Sequence, residues 1–152
     1  MRHLNRFRPL IRSTRQLVVA MASLCGAAHA GELTVVIENL QAAEGQVMIA
    51  VGTEESFAAA EGESRSHAVQ VVLPAREGSV TFTPDALPDG TYAVQVMHDV
   101  NGNGELDANF VGMPKEPWGF SNNARGNFGP PQFADTQFAL NGDTQITIAV
   151  KK

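Results

Sequence analysis

Residues 87–99 read Leu87-Pro88-Asp89-Gly90-Thr91-Tyr92-Ala93-Val94-Gln95-Val96-Met97-His98-Asp99, a turn that runs into a strand, and this stretch decides the fold. Pro88 fixes its own φ, and Asp89-Gly90 tolerates the tight backbone of a reversal. Beyond the turn, Tyr92, Val94, Val96 and His98 recur at a period of two, which places them on one buried face of a β-strand. In Greek-key sandwiches a tyrosine at such a corner hydrogen-bonds back to the backbone of the turn. Tyr92 is therefore expected to be structural rather than a ring that stacks on a ligand.

The same alternation extends in both directions. Leu33, Val35 and Ile37 alternate with polar partners, and Val47, Ile49 and Val51 do so again after Glu44-Gly45, a turn signal that predicts a hairpin. Further strands are expected over His67–Leu73, Ser79–Phe82, Thr91–Asp99, Thr136–Leu140 and Gln145–Val150, the last two joined through Asn141-Gly142-Asp143. About seven short strands without a long helical pattern predict an all-β fold, an antiparallel Greek-key β-sandwich of Ig-like or transthyretin-like form. The acidic stretch from Glu54 to Glu63 reads as solvated surface. Asp107 to Asp135 is too long for an ordinary connection. Its four prolines, with Trp118, Phe120, Phe128 and Phe133, predict one long ordered loop anchored by aromatic area.

The first thirty residues read as an address. Five arginines precede an apolar run from Leu17 to Ala28 that closes on Ala28-His29-Ala30, the pattern of a secretory signal peptide with cleavage expected after Ala30. A membrane span needs roughly 20 apolar residues, and this run holds fewer. The expected organisation is a signal peptide over 1–30 and a single β-sandwich domain over 31–152, periplasmic or secreted, with no stable membrane insertion after cleavage. Cleavage removes Cys25, the single cysteine, and with it disulfides and cysteine chemistry. It also removes five of the 11 basic residues and none of the 16 acidic ones. So acidic a chain lacks the basic surface that phosphate backbones require, and no nucleic-acid partner is expected.

Immediately after the long strand, Asp99-Val-Asn101-Gly-Asn103-Gly104-Glu105-Leu-Asp107 spaces oxygen-bearing side chains by two, with glycines between. In the EF-hand register Asp99, Asn101 and Asn103 take the first three ligand positions, Gly104 the sharp turn, Glu105 the carbonyl position and Asp107 the ninth. The twelfth position should be a bidentate glutamate and is Phe110; Glu116 or a carbonyl from the long loop would have to complete the shell. The expectation is a loop able to bind Ca²⁺ as its cofactor. The competing reading is that Asp and Asn cap their own turns with no ion.

Catalytic signals are sparse: no His-Glu-x-x-His, no Gly-x-Ser-x-Gly and no phosphate-cradling glycine loop. His98 is expected to orient the loop from the end of the strand; beside Asp99 its imidazole has the chemistry of a metal ligand or base. Trp118, Phe120, Asn122 and Asn123 pair aromatic rings with amides, the composition of a sugar-binding platform. The alternative is that the two rings plug the open end of the sandwich.

Four runs in order carry a family likeness: Leu87-Pro-Asp-Gly-Thr-Tyr-Ala-Val94, His98–Asp107, Gly112-Met-Pro-Lys-Glu-Pro-Trp-Gly-Phe-Ser-Asn-Asn123 and Gly129-Pro-Pro-Gln-Phe133. Together they resemble the domain of unknown function 2141 family of small exported bacterial proteins. The resemblance implies an exported single-domain β protein and no particular activity. The functional expectation is a non-enzymatic binding or interaction module, for an unidentified protein or glycan, whose surface includes His98, Glu116, Trp118, Phe120, Asn122 and Asn123. The alternatives are a carbohydrate-binding module built on Trp118 and Phe120, and a carboxylate/histidine hydrolase at the same loops.

Overall fold

The computed structural model describes residues 30–58, 68–127 and 129–152. In chain order the elements are β1 (Ala30–Gly31), β2 (Leu33–Leu40), β3 (Gln46–Gly52), α1 (Glu54–Ala58), β4 (Val69–Pro74), β5 (Gly78–Phe82), β6 (Leu87–Pro88), β7 (Gly90–Asp99), β8 (Trp118–Phe120), a 3₁₀ turn (Ser121–Asn123), α2 (Phe133–Thr136), β9 (Phe138–Leu140) and β10 (Thr144–Ala149). One sheet has the order β10-β2-β5 and the other β4-β3-β7-β8, with β9 also on β7; β1 and β6 form a small separate pair. Leu33, Val35 and Ile37 of β2 pack with Val47, Ile49 and Val51 of β3, Val94 and Val96 of β7 and Ile148 of β10 in one buried cluster. Alternate β-branched residues fit a pleated, half-buried surface, and the expected all-β sandwich is what they build.

The corner behaves as expected. Tyr92 is buried, and its hydroxyl donates to the Pro88 carbonyl at 3.0 Å. That bond ties β7 back to the turn four residues upstream and lets the strand cross the core at a set angle.

Three expectations need correction. The hairpin predicted at Glu44-Gly45 does not form, because β2 and β3 lie in different sheets. At the end of β2 the pairing register shifts between Glu38 and Leu40, where Asn39 takes φ 66, and Gly45 takes φ 76. These left-handed residues turn the chain over the sheet edge instead of back along it. β10 runs parallel to β2, Thr144 against Leu33 through Ala149 against Glu38, while the other ladders are antiparallel. The strand expected from Thr136 starts later, at Phe138, because Phe133–Thr136 closes a helical turn.

The long segment after Asp107 contains elements of its own. β8 pairs with β7, Gln95 opposite Phe120 and Met97 opposite Trp118. Gly119 faces inward: a β-carbon there would stand 2.8 Å from Ile148 Cγ2, so Trp118 and Phe120 point to the outer face of the sheet. There Phe120 meets Phe57 of α1 at 6.0 Å between ring centroids, and Phe57 meets Phe133 of α2 edge-on at 5.4 Å. The two helical turns and β8 thus cover the outer face with a small aromatic layer. His67, Phe128, Glu61, Glu63 and residues 1–29, which hold the expected signal peptide, lie outside the described residues.

Candidate functional site

β7 and β3 end together, Asp99 opposite Gln46, and the chain from Val100 to Pro117 forms a cap over that end. Consecutive strand residues point to opposite faces, so His98 enters the core with Val94 and Val96 whereas Asp99 faces outward under the cap. The imidazole Nε2 donates to the Glu44 carbonyl at 2.9 Å, and Nδ1 is buried with no hydrogen-bond partner among the described residues. The backbone N–H of His98 donates to Pro117 at 2.8 Å. His98 thereby pins both the 44–45 turn and the return of the cap.

Asp99 organises the loop. Its residue is 0% exposed, and its two oxygens accept four N–H groups: Gly102 at 2.7 Å and Asn103 at 3.2 Å on Oδ1, Gly104 at 2.7 Å and the Gln46 amide at 2.7 Å on Oδ2. Burial opposes the charge, yet the Gln46 amide and the three backbone donors outweigh it and hold the carboxyl below the ordinary aspartate value. Positive φ at Gly102 and Gly104 turns the successive N–H groups inward, a conformation glycine adopts without a β-carbon penalty. A carboxylate offers about four lone-pair sites, and all of those on Asp99 are taken.

Glu116 closes the cap from the other side. It is 5% exposed, and its oxygens accept Val100 N–H at 2.8 Å and Asp107 N–H at 3.1 Å. Asp107 in turn accepts the side-chain amides of Asn101 at 2.8 Å and Asn103 at 3.2 Å. Asn101 and Asn103 each turn Oδ1 onto the N–H two residues on, at 3.0 and 2.8 Å, the Asx-turn geometry. Glu105 contributes its backbone N–H and an exposed side chain. Asp99, Asn101, Asn103, Asp107 and Glu116 are therefore one connected network. No group of three or more His, Asp or Glu side chains among the described residues is gathered as a metal centre.

The residues expected to form a sugar platform lie on β8 and the 3₁₀ turn after it, and each has partners within the fold. Phe120 is buried in the outer aromatic layer. The Trp118 ring has Arg125 stacked on one face, its guanidinium carbon 4.1 Å from the ring centroid, and packs edge-on to Phe120 at 5.7 Å. Partial burial lowers the Arg125 pKa from its ordinary value. Asn122, at φ 59, gives its amide to the carbonyls of Asp135 and Gln137. Asn123, at φ 51, accepts Ala149 N–H at 2.8 Å. Both asparagines clip β8 to its neighbours.

A hydrolase at these loops would need His98 and a carboxylate to reach one cavity. His98 and Asp99 end on opposite faces of β7, and an open cleft of about 410 Å³ among the described residues is lined by Thr53, Glu54, Glu55, Thr91, Phe133 and Gln137. Thr91 lies at the start of β7, so this cleft sits away from the capped end.

Three contributors carry no signal in the sequence reading. Gln46 supplies the fourth donor to Asp99 across 53 positions. Ser121, buried, accepts Val94 N–H at 3.0 Å and donates to the Thr136 carbonyl. Asn109 shapes the far tip of the cap: its Oδ1 accepts Val111 N–H at 3.0 Å and Met113 N–H at 2.9 Å.

A family described as an uncharacterized protein conserved in bacteria, DUF2141, matches residues 35–148. No curated protein and no solved structure matches the chain. The matched span runs from β2 to β10 and includes the whole cap.

Proposed function

We propose that this chain, which belongs to the DUF2141 family, is an exported, non-catalytic β-sandwich module that acts by presenting the rigid cap Val100–Pro117 to a partner. The observation that carries this reading is the use to which the buried acids are put. The two buried carboxylates at this end of the sandwich, Asp99 and Glu116, are engaged by N–H donors, and the imidazole on the inner face of β7 holds a turn. Donors drawn onto these acids from both ends of the loop set a shape; a general base needs a lone pair aimed at substrate. Conserving shape at one end of a sandwich is how loop-bearing scaffolds bind. The test is alanine substitution of surface positions on the cap, scored by loss of a captured partner with the fold intact. Turnover of a substrate that depends on His98 and Glu116 would refute it.

Calcium in the loop is a second reading, and Glu116 is what favours it. From outside the run it supplies the carboxylate that the EF-hand register lacks at Phe110, and it is bonded to both ends of the loop. Glu116, Asp107, Asn101 and Asn103 keep spare lone pairs on their oxygens; Asp99 would serve as the organiser beneath them. Titration with Ca²⁺, followed by the thermal midpoint, tests this reading.

A further inference from the structure

Beyond the acidic loop the cap projects a finger. Ala108 bridges to Pro114, Lys115 N–H donates to Asp107 at 2.7 Å, Asn109 N–H to Met113 at 2.8 Å and Gly112 N–H to Asn109 at 2.9 Å. The tip of this small hairpin is Phe110-Val111-Gly112-Met113. Phe110 is 100% exposed, Val111 65% and Met113 62%. Isolated apolar residues on a surface need no explanation, but three on one tip do.

We infer that the finger is a lipid-docking element: Phe110, Val111 and Met113 enter the headgroup–acyl boundary of a membrane surface. This rests on the proposed presentation of a rigid cap and names what the cap meets. Three observations select lipid over a protein groove. First, the tip offers on the order of 400 Å² of apolar surface, about half of the roughly 800 Å² per partner that a standard protein interface buries. Second, four of the five main-chain N–H groups from Asn109 to Met113 are satisfied from within: Val111 and Met113 N–H on Asn109 Oδ1, Gly112 N–H on the Asn109 carbonyl and Asn109 N–H on Met113, while Pro114 has none and Phe110 N–H is left to the polar headgroup layer. Each donor paired in this way is spared the several kcal/mol that an unpaired N–H costs in an apolar medium. Third, the three side chains carry no directional polar group with which a protein partner would read them, and the exposed Lys115 stands at the base of the finger, where phosphate headgroups accept a cation.

Among the described residues nothing covers the tip of the finger. The chain enters the fold at β1, paired to β6 beside the start of β7, and β7 separates that end from the cap by about 30 Å at 3.3 Å per residue. No helix among the described residues is long and apolar enough to cross a membrane, and three side chains on one tip make the docking shallow and reversible. The acidic character of the chain disfavours anionic lipid, which leaves a zwitterionic surface as the preferred one.

The exported chain, its N-terminus read by mass spectrometry, is sedimented with vesicles of phosphatidylcholine and phosphatidylethanolamine. Wild type partitions onto them, and added salt leaves the bound fraction unchanged. Phe110→Ser lowers the partition coefficient roughly ten- to a hundredfold with an unaltered thermal midpoint, since Phe110 touches nothing in the fold. Phe110→Trp keeps partition and gains fluorescence quenching by shallow brominated lipids, whereas Trp118 in wild type is not quenched. Equal sedimentation of wild type and Phe110→Ser, or no sedimentation of either, overturns the inference. A Phe110-dependent dimer or protein complex without vesicle binding also overturns it and leaves the rigid cap standing; a cap that exchanges its amides freely removes both.

Discussion

Replacing Asp99 by alanine tests the logic of the cap at its centre. The substitution removes one carboxylate and strands four donors, the N–H groups of Gly102, Asn103 and Gly104 and the amide of Gln46. A hydrogen bond to a charged group is worth about 1.5–3 kcal/mol and an orphaned buried donor costs about 1–3 kcal/mol. The three glycine-loop residues are exposed, so water recovers part of that loss, and the net effect is about 4 kcal/mol. Against a domain stability of roughly 5–15 kcal/mol the variant still folds, with a urea midpoint lower by about 2 M. Asp99→Asn falls between, because its amide nitrogen faces donors where an oxygen stood. The pH dependence carries a sign. Burial opposes ionisation of Asp99 but the donors lower its folded pKa, so its contribution is complete above the unfolded value of roughly 3.9 and is lost as pH falls through the lowered folded value. Wild type therefore loses stability over that acid window and Asp99→Ala loses less. An Asp99→Ala midpoint within about 0.5 M of wild type in urea, or identical acid limbs, would refute the reasoning.

Four further outcomes are expected. Glu116→Gln keeps one acceptor oxygen and turns an amide onto either Val100 or Asp107 N–H, costing about 1–3 kcal/mol in a denaturant melt. Gly45→Ala costs more than 1 kcal/mol, because a β-carbon there lies 2.1 Å from the Asp99 carbonyl oxygen at φ 76; calorimetry would register it as a lowered midpoint. Gly119→Ala drives a methyl into Ile148 and destabilises by about 1–3 kcal/mol, whereas Gly129→Ala, which meets nothing within 4 Å among the described residues, stays within about 0.5 kcal/mol. Calcium at about 1 mM raises the thermal midpoint of wild type and not that of Glu116→Gln; equal midpoints with and without calcium remove the metal reading.

Much of the scaffold was legible because period-two alternation needs only one strand to be visible. Leu33 to Ile37, Val47 to Val51 and Tyr92 to His98 each announce their buried face, and the Tyr92 corner follows from the turn just before it. Direction and partner are different matters. Alternation is the same for a strand read either way, so nothing local told β10 to run parallel to β2. Glu44-Gly45 signals a reversal and says nothing of whether the chain returns to its sheet or crosses to the next; the register shift at Asn39 decides that. β8 leaves no alternation to read, because Trp118-Gly119-Phe120 is three residues long and sits among prolines, and its glycine is needed only because Ile148 lies opposite. In the cap, the spacing of Asp99, Asn101, Asn103 and Asp107 was readable as turn chemistry and as a ligand register at once. Gln46 was not, since its contact with Asp99 exists only after β3 pairs with β7. The sequence likewise listed Phe110 as a departure from the EF-hand register; the fold presents it as the tip of a finger.

Hydrogen–deuterium exchange of single amides across the cap tests the central claim most directly. The account predicts that Val100, Gly102, Gly104 and Asp107 N–H, held by Glu116 and Asp99, exchange far more slowly than free peptide, and that their protection falls together in Asp99→Ala. Exchange of these four at free-peptide rates while β3 and β7 remain protected would contradict it.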